Sequence, residues 1–323
     1  MIFRTLSLGV LITAVVGSAY AQRGGHEKQR PQIPAVLQGV FKAAKELAYS
    51  GTRVVEYMRG SEKSKHTEYV LTDGRKSRVW FPSDSPFAGQ VIVEDRARRL
   101  HYFPGKNEIY VLPARRDMAL RRLSESIFRG GGNMRLQVSE GESVAGRATK
   151  VLAFSDKNGN VQQRLWIDSD NSHLLKRELY DPVGAKIGSY EFTSVDYSPK
   201  VEAGIFEINR KGAKVITPEL QVRKLAQANG LAALIIPASL GYRLDSVRMM
   251  KLGSEPVLHQ LYLSARGRLS FFQVKGTLDP ERFRTRTGPQ ISVRTWQRDG
   301  RSFALVGSVP ADELQRIAKA LGG

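Results

Sequence analysis

Residues 164–192 read Arg-Leu-Trp-Ile-Asp-Ser-Asp-Asn-Ser-His-Leu-Leu-Lys-Arg-Glu-Leu-Tyr-Asp-Pro-Val-Gly-Ala-Lys-Ile-Gly-Ser-Tyr-Glu-Phe. Polar and apolar side chains alternate over 164–168, 174–180 and 185–192, the period of two that gives a strand two unlike faces. Asp170-Asn171 lies in the first gap and Pro182 with Gly184 in the second, each suited to a tight turn. The stretch reads as a three-stranded antiparallel meander. Such a unit makes a surface or a cavity wall and supplies no nucleophile elbow.

The same period governs the chain before it. Strands are predicted at 52–59, 66–71, 76–81, 90–94, 99–103, 108–112, 134–139 and 149–154, parted by breakers such as Asp73-Gly74, Asp95-Arg96 and Pro104-Gly105-Lys106-Asn107. A last strand is predicted to carry Phe206 and Ile208. A helix over 34–48 sets Val36, Val40, Ala43 and Leu47 on one face, with Leu37 and Phe41 beside them. A second helix is predicted over 114–128, stopped by Gly130-Gly131-Gly132. An antiparallel sheet of about ten strands tends to curl into a barrel or half-barrel.

Residues 213–230 read as a linker, with Thr217-Pro218 and Asn229-Gly230 as punctuation and a helical turn or two over 221–228. A smaller domain follows over 231–323, with strands at 257–263, 268–274, 291–297 and 302–309. Its closing helix has Asp312 and Glu313 in the first turn and Lys319 near the end, charges that suit the helix dipole. The predicted fold class is α+β: a curled antiparallel half-barrel covered by helices over 34–212, then a smaller α+β domain.

The N-terminus decides the compartment. Arg4 precedes an apolar run over 6–16, too short to span a bilayer, and Ala19-Tyr20-Ala21 fits a signal-peptidase site. The expectation is a signal peptide over 1–21, a disordered stretch over 22–33, and an exported, soluble protein. With no cysteine, neither a lipid-anchoring thiol nor a disulfide is available. The formal charge is +19, or +18 once Arg4 is removed. Export argues against nucleic acid and leaves an anionic head group, an acidic protein or a membrane surface as partners, beside a merely solvated basic surface.

Catalytic groupings do not emerge. His26, His66, His101, His173 and His259 are dispersed without metal-type spacing, and no G-x-S-x-G elbow occurs. The glycines at 130–132 lack the Lys-Ser/Thr pair of a phosphate loop. No cofactor is implied. Arg115, Arg116, Arg121 and Arg122 spread over the polar side of the second helix, either as forked donors to phosphate or carboxylate or as a solvated face. Trp80, Phe81, Tyr102, Phe103, Tyr110 and Trp166 lie on successive strands, where they either line an acyl-chain cavity or fill a core.

Trp166-x-Asp168, the run Leu174-Leu175-Lys176-Arg177-Glu178-Leu179-Tyr180-Asp181 and Gly184 resemble the meander of lipoprotein-carrier-like half-barrels. That group holds the LolA and LolB carriers and the first domain of the RseB/MucB regulators of envelope-stress sigma factors. Leu261-Tyr262-Leu263, residues 267–272, Arg286-Thr287-Gly288, Val306-Gly307-Ser308-Val309-Pro310 and Arg316-Ile317-Ala318 are similar to the second RseB/MucB domain, which the carriers lack. The resemblance implies a periplasmic regulator with no catalytic residues. Its partner would be the periplasmic segment of a single-span membrane anti-sigma factor, shielded from proteolysis and released by lipid, lipopolysaccharide or lipoprotein acyl chains. A lipid or lipoprotein carrier of the LolA type is the alternative.

Overall fold

The computed structural model describes residues 35–59, 62–114, 135–252, 255–278 and 291–323. They fall into two compact units, one ending at Val215 and the other beginning at Ile216. The described residues are mostly β, with three helices and two sheets. The segment expected to be a signal peptide, the stretch to 33 and the whole arginine-rich 115–122 segment lie outside them.

In the first unit α1 (Ala35–Glu46) precedes β1 (Ala48–Arg59), β2 (Glu62–Asp73), β3 (Ser77–Trp80), β4 (Val91–Glu94), β5 (Arg98–Phe103) and β6 (Glu108–Pro113). After the undescribed segment come β7 (Arg135–Glu140), β8 (Thr149–Ser155), β9 (Val161–Asp168), β10 (Leu174–Tyr180), β11 (Lys186–Asp196) and the short β12 (Lys214–Ile216). Residues 164–192 form the meander β9–β10–β11. Its second turn is tied by the Asp181 side chain, whose Oδ1 accepts from the N–H groups of Val183 and Ala185 at 3.0 and 2.8 Å.

The twelve strands run in the order β12-β6-β5-β4-β3-β2-β1-β11-β10-β9-β8-β7. Two local meanders, β1–β6 and β7–β11, are thus joined by one long-range seam between β1 and β11. The seam runs from Ser50↔Asp196 to Tyr57↔Gly188, with a bulge between Thr52 and Arg53. Gly51 lies within it, where a Cβ would stand 2.5 Å from the Ser194 carbonyl oxygen and 3.0 Å from the Phe192 ring. α1 packs Leu37 and Val40 onto Leu152, Phe154, Leu165 and Ile167 of β8 and β9.

The strand expected through Phe206 and Ile208 does not form. Residues 203–206 make a turn and 207–210 are irregular, while both side chains pack beside Val91, Val93, Tyr102 and Ile109. Arg78 Nη1 donates to the carbonyls of Ile205 and Glu207 at 2.7 and 3.1 Å, so a side chain does what a ladder would have done. The last strand is β12, inside the stretch expected to be linker.

The second unit holds α2 (Pro218–Asn229), β13 (Arg243–Leu252), β14 (Glu255–Ser264), β15 (Gly267–Lys275), β16 (Ser292–Arg298), β17 (Arg301–Gly307) and α3 (Ala311–Ala320). Its sheet order is β13-β14-β15-β17-β16. α2 is longer than the expected turn or two. The Thr217 hydroxyl accepts from Leu220 N, Pro218 opens the helix, and Gly230 closes it in the left-handed region at φ 59°. Val222 and Ala226 of α2 and Leu314, Ile317 and Ala318 of α3 share one core with Leu258, Tyr262, Phe271 and Phe303.

β13 was not foreseen. A bulge between Leu244 and Ser246 shifts its register, so Leu244, Val247 and Met249 face one core across an interrupted alternation.

Replacing Gly51 by Ala is expected to destabilise the first unit by about 1–3 kcal/mol through overpacking of the seam. Urea unfolding followed through Trp166 fluorescence, with Trp80 and Trp296 changed to Phe in both proteins, measures it; an unchanged midpoint would show that the seam yields to a methyl group.

Candidate functional site

Strand register assigns each predicted aromatic to a face. Trp166 pairs with Lys176, Lys176 with Glu191, Glu191 with Val54 and Val54 with Thr67. Two residues on, Tyr69 pairs with Trp80, Trp80 with Val91 and Val91 with Tyr102. Trp166, Trp80 and Tyr102 therefore share one face. Trp80 and Tyr102 pack there under Phe206 and Ile208, and the Lys176 ammonium sits 4.6 Å from the Trp166 ring centroid.

Tyr110 pairs with His101 and lies on the opposite face, as does Phe103, whose ring centroid is 5.3 Å from that of Tyr110. Phe81 lies 5.8 Å from His66 and 5.3 Å from Phe87. The six aromatics do not converge on one wall. Pockets of about 270 Å³, beside Arg78 and Arg210, and about 410 Å³, beside Tyr242 and Pro237, are lined by none of them.

What the second face does assemble is a partly buried charge cluster at the seam. Arg53 of β1 stands opposite Glu68 of β2, with Nε 2.8 Å and Nη2 2.7 Å from Glu68 Oε2. His66 Nε2 lies 3.0 Å from Glu68 Oε1. The guanidinium is 5.3 Å from the Tyr190 ring centroid and 6.0 Å from that of Phe192, both on β11. The Arg53 and Glu68 side chains are 25% and 13% exposed. Burial pushes the Glu68 carboxyl up, but Arg53 and His66 outweigh it and hold it down at about 2.

A second cluster explains Asp168. This residue is buried, and Oδ2 accepts from Arg147 Nε and the Tyr197 hydroxyl, both at 2.8 Å. Oδ1 accepts from Asp170 N at 2.9 Å and Arg147 Nη2 at 3.3 Å. His173 Nδ1 lies 3.1 Å from the Tyr197 oxygen, so with that hydroxyl given to Asp168 the imidazole is the donor. Burial drives His173 down to about 3, against the pull of Asp168. Asp168 has its oxygens engaged in holding a turn and is positioned for no proton transfer to a substrate.

His259 in the second unit is likewise driven down to about 3, by burial and then by Arg248, whose Nε donates to its Nδ1 at 3.0 Å. Among the described residues no group of three His, Cys, Asp or Glu side chains is placed to hold a metal, and no helix is long and apolar enough to cross a membrane.

Sequence reading missed Arg53, Glu68, Arg147 and Tyr197. The first two carried a signal: in a hairpin whose strands close on the pair Arg59↔Glu62, positions summing to 121 face each other, which opposes Arg53 to Glu68 and Glu56 to Lys65.

Acid sensitivity follows from these groups. The carboxyl of Glu68 is depressed from 4.5, so its contribution is present above that value and lost as pH falls toward 2. His173 and His259 are depressed from 6.5, so theirs is present above 6.5 and lost as pH falls toward 3. Between pH 6.5 and 4.5 the loss comes from the histidines, on the order of 2 kcal/mol each. Urea midpoints of the wild type and the His173→Gln/His259→Gln double variant across that window check it. An equally steep fall in the double variant would assign the effect elsewhere.

Residues 32–210, more than half of the chain, match the family model of the MucB/RseB N-terminal domain. No curated protein matches the chain by sequence. Similar solved structures include MucB in complex with MucA(peri), at 18% identity and a TM-score of 0.42, covering 88% of this chain and 96% of that one. The Pseudomonas aeruginosa MucA/MucB complex is 17% identical at a TM-score of 0.40, with 88% and 95% covered. A LolA superfamily protein from Nitrosomonas europaea is 11% identical at 0.24, with 85% and 90% covered. The family assignment rests on the sequence match over 32–210. By that match the chain belongs to the MucB/RseB family.

Proposed function

We propose that the chain is a periplasmic negative regulator of sigma-factor signalling. It binds the periplasmic segment of a single-span anti-sigma factor, shields that segment from proteolysis, and releases it when an acyl ligand binds. The observation that carries this reading is the family match over 32–210 in a chain with a second compact unit from Ile216. In the carrier alternative the cavity would hold cargo and this second unit would dock a membrane receptor. We read the twelve-stranded sheet as a curled half-barrel, since antiparallel sheets this wide rarely stay flat.

Sheet parity narrows the acyl-contact candidates. Leu165 pairs with Arg177, Arg177 with Tyr190, Tyr190 with Val55 and Val55 with His66. α1 therefore packs on the face that also carries His66, Phe103 and Tyr110. Phe81, Phe103 and Tyr110 are the retained candidates for an acyl chain. Trp80, Tyr102 and Trp166 belong to the other face. Arg115, Arg116, Arg121 and Arg122 remain candidates for an anionic head group.

Pull-down of the exported segment of the anti-sigma factor by the mature protein, with and without purified lipid A or lipoprotein acyl chains, tests the regulator. Capture without ligand and loss with it are expected. Failure to capture any such segment, together with stoichiometric transfer of lipoprotein between membranes, would favour the carrier. Changing the four arginines together to Gln is expected to weaken lipid A binding and flatten its salt dependence. Unchanged binding would return them to a solvated face.

A further inference from the structure

We infer that β7 is the docking edge for an extended segment of the partner protein, which adds to the twelve-stranded sheet as a further strand. The inference rests on the partner-holding function proposed above. A sheet edge presents unpaired N–H and C=O groups, and natural proteins blunt such edges with shortness, bulges, charge or a covering segment. Three of the four edge strands are blunted. β12 has three residues, β13 carries a bulge beside Asp245, and β16 is overlaid by the chain end. There Arg298 Nη1 donates to the carbonyls of Leu321 and Gly322, and Gly323 lies against Trp296.

β7 is six residues long with an unshifted register, and its two charges, Arg135 and Glu140, stand at its ends. Its six residues are exposed except for the half-buried Leu136, and the central Leu136-Gln137-Val138-Ser139 is uncharged. Gly141 N–H donates to Thr149 O at 2.9 Å, one step beyond the pair Glu140↔Lys150. Bonded and non-bonded pairs alternate in an antiparallel ladder. Arg135, Gln137 and Ser139 therefore bond inward to β8, while Leu136, Val138 and Glu140 turn their N–H and C=O outward.

The side chains specify the occupant further. Val138 is 50% exposed although its pair partner Leu152 is fully buried under α1, and Leu136 packs on the same cluster. A strand laid along β7 with alternate apolar residues on this face would extend that cluster and cover Val138. A second copy of the chain could match Leu136 to Val138 about a two-fold axis, but it would bring together two chains of formal charge +19. An acidic partner is drawn to that charge. The occupant is an extended, acid-flanked segment with alternating apolar residues.

Proline substitution separates the two sets of backbone groups. Pro at 138 removes an outward N–H and leaves the β8 ladder whole, whereas Pro at 137 removes an inward one. With the exported segment of the anti-sigma factor as probe, Val138→Pro is expected to keep the wild-type urea midpoint and to bind at least about tenfold more weakly. Gln137→Pro is expected to lower the midpoint. Amide exchange needs no variant: the N–H groups of Leu136, Val138 and Glu140 should exchange freely in the unbound protein and slow severalfold in the complex. Wild-type affinity in Val138→Pro, or a complex that leaves those amides unprotected, overturns the docking edge alone. A wild type that binds no segment overturns the proposed function with it. A dimer abolished by Val138→Pro, without amide protection by the segment, assigns the edge to a second copy.

Discussion

The first unit depends on the pairing of β1 with β11. Every other ladder between β6 and β7 joins strands that are neighbours in sequence, so each closes a short loop at small entropic cost. The seam alone brings together residues about 140 positions apart, and its closure must be offset by contacts made at the seam itself. Gly51 admits the Ser194 carbonyl. One residue beyond the Thr52 bulge, Arg53 enters the second face between Glu68 and the rings of Tyr190 and Phe192. A slip of one residue in β11 would carry Tyr190 and Phe192 to the opposite face and take their rings from the Arg53 guanidinium, whose pairing with Glu68 inside the β1–β2 hairpin would be unaffected. The ion pair itself adds little net stability once desolvation is counted. The wrong seam register is penalised instead at the β11 rings, which cover the guanidinium only in the observed pairing.

The second unit solves a different problem, that of docking an irregular segment on a sheet. Residues 231–237 belong to no helix or strand, yet Ile236 is buried. Gln260 Nε2 donates to Leu234 O at 2.9 Å, Ile236 N donates to the Tyr262 hydroxyl at 3.0 Å, and that hydroxyl donates to Gln260 Oε1 at 2.6 Å. Polar side chains on β14 thus stand in for the strand that the segment does not form. Gln260 and Tyr262 are buried polar groups within an apolar core, and the segment is what satisfies them.

Strand positions were legible because breakers and a period of two leave little freedom, and the opening meander is the plainest case. Its seam partner was not, since nothing in a local pattern names a strand 140 residues away. β13 escaped because its bulge spoils the alternation on which the reading relies. The Thr217-Pro218 and Asn229-Gly230 pairs were read as linker punctuation when they are the two caps of α2. The aromatic set carried its own correction: Trp80 and Phe81 are adjacent, as are Tyr102 and Phe103, and neighbours at the end of or within a strand cannot line one wall. Hairpin register likewise contained the Arg53–Glu68 pair, which composition and motif searches pass over.

The proposed release of a partner by an acyl ligand sets a condition on where that ligand acts. A ligand shifts the equilibrium only by its differential affinity for the held and released states. Surface charge on a chain of +19 speeds encounter with an acidic segment. It does not by itself distinguish those states. The discrimination has to come from a packed element that the ligand and the partner both touch. On the α1 face of the sheet, Leu136 of β7 packs into the cluster formed by α1, β8 and β9. An acyl chain entering that cluster would compete for the surface against which a strand on β7 lays its apolar side chains. Binding and release would then be two occupancies of one apolar surface, and no signal need travel through the sheet.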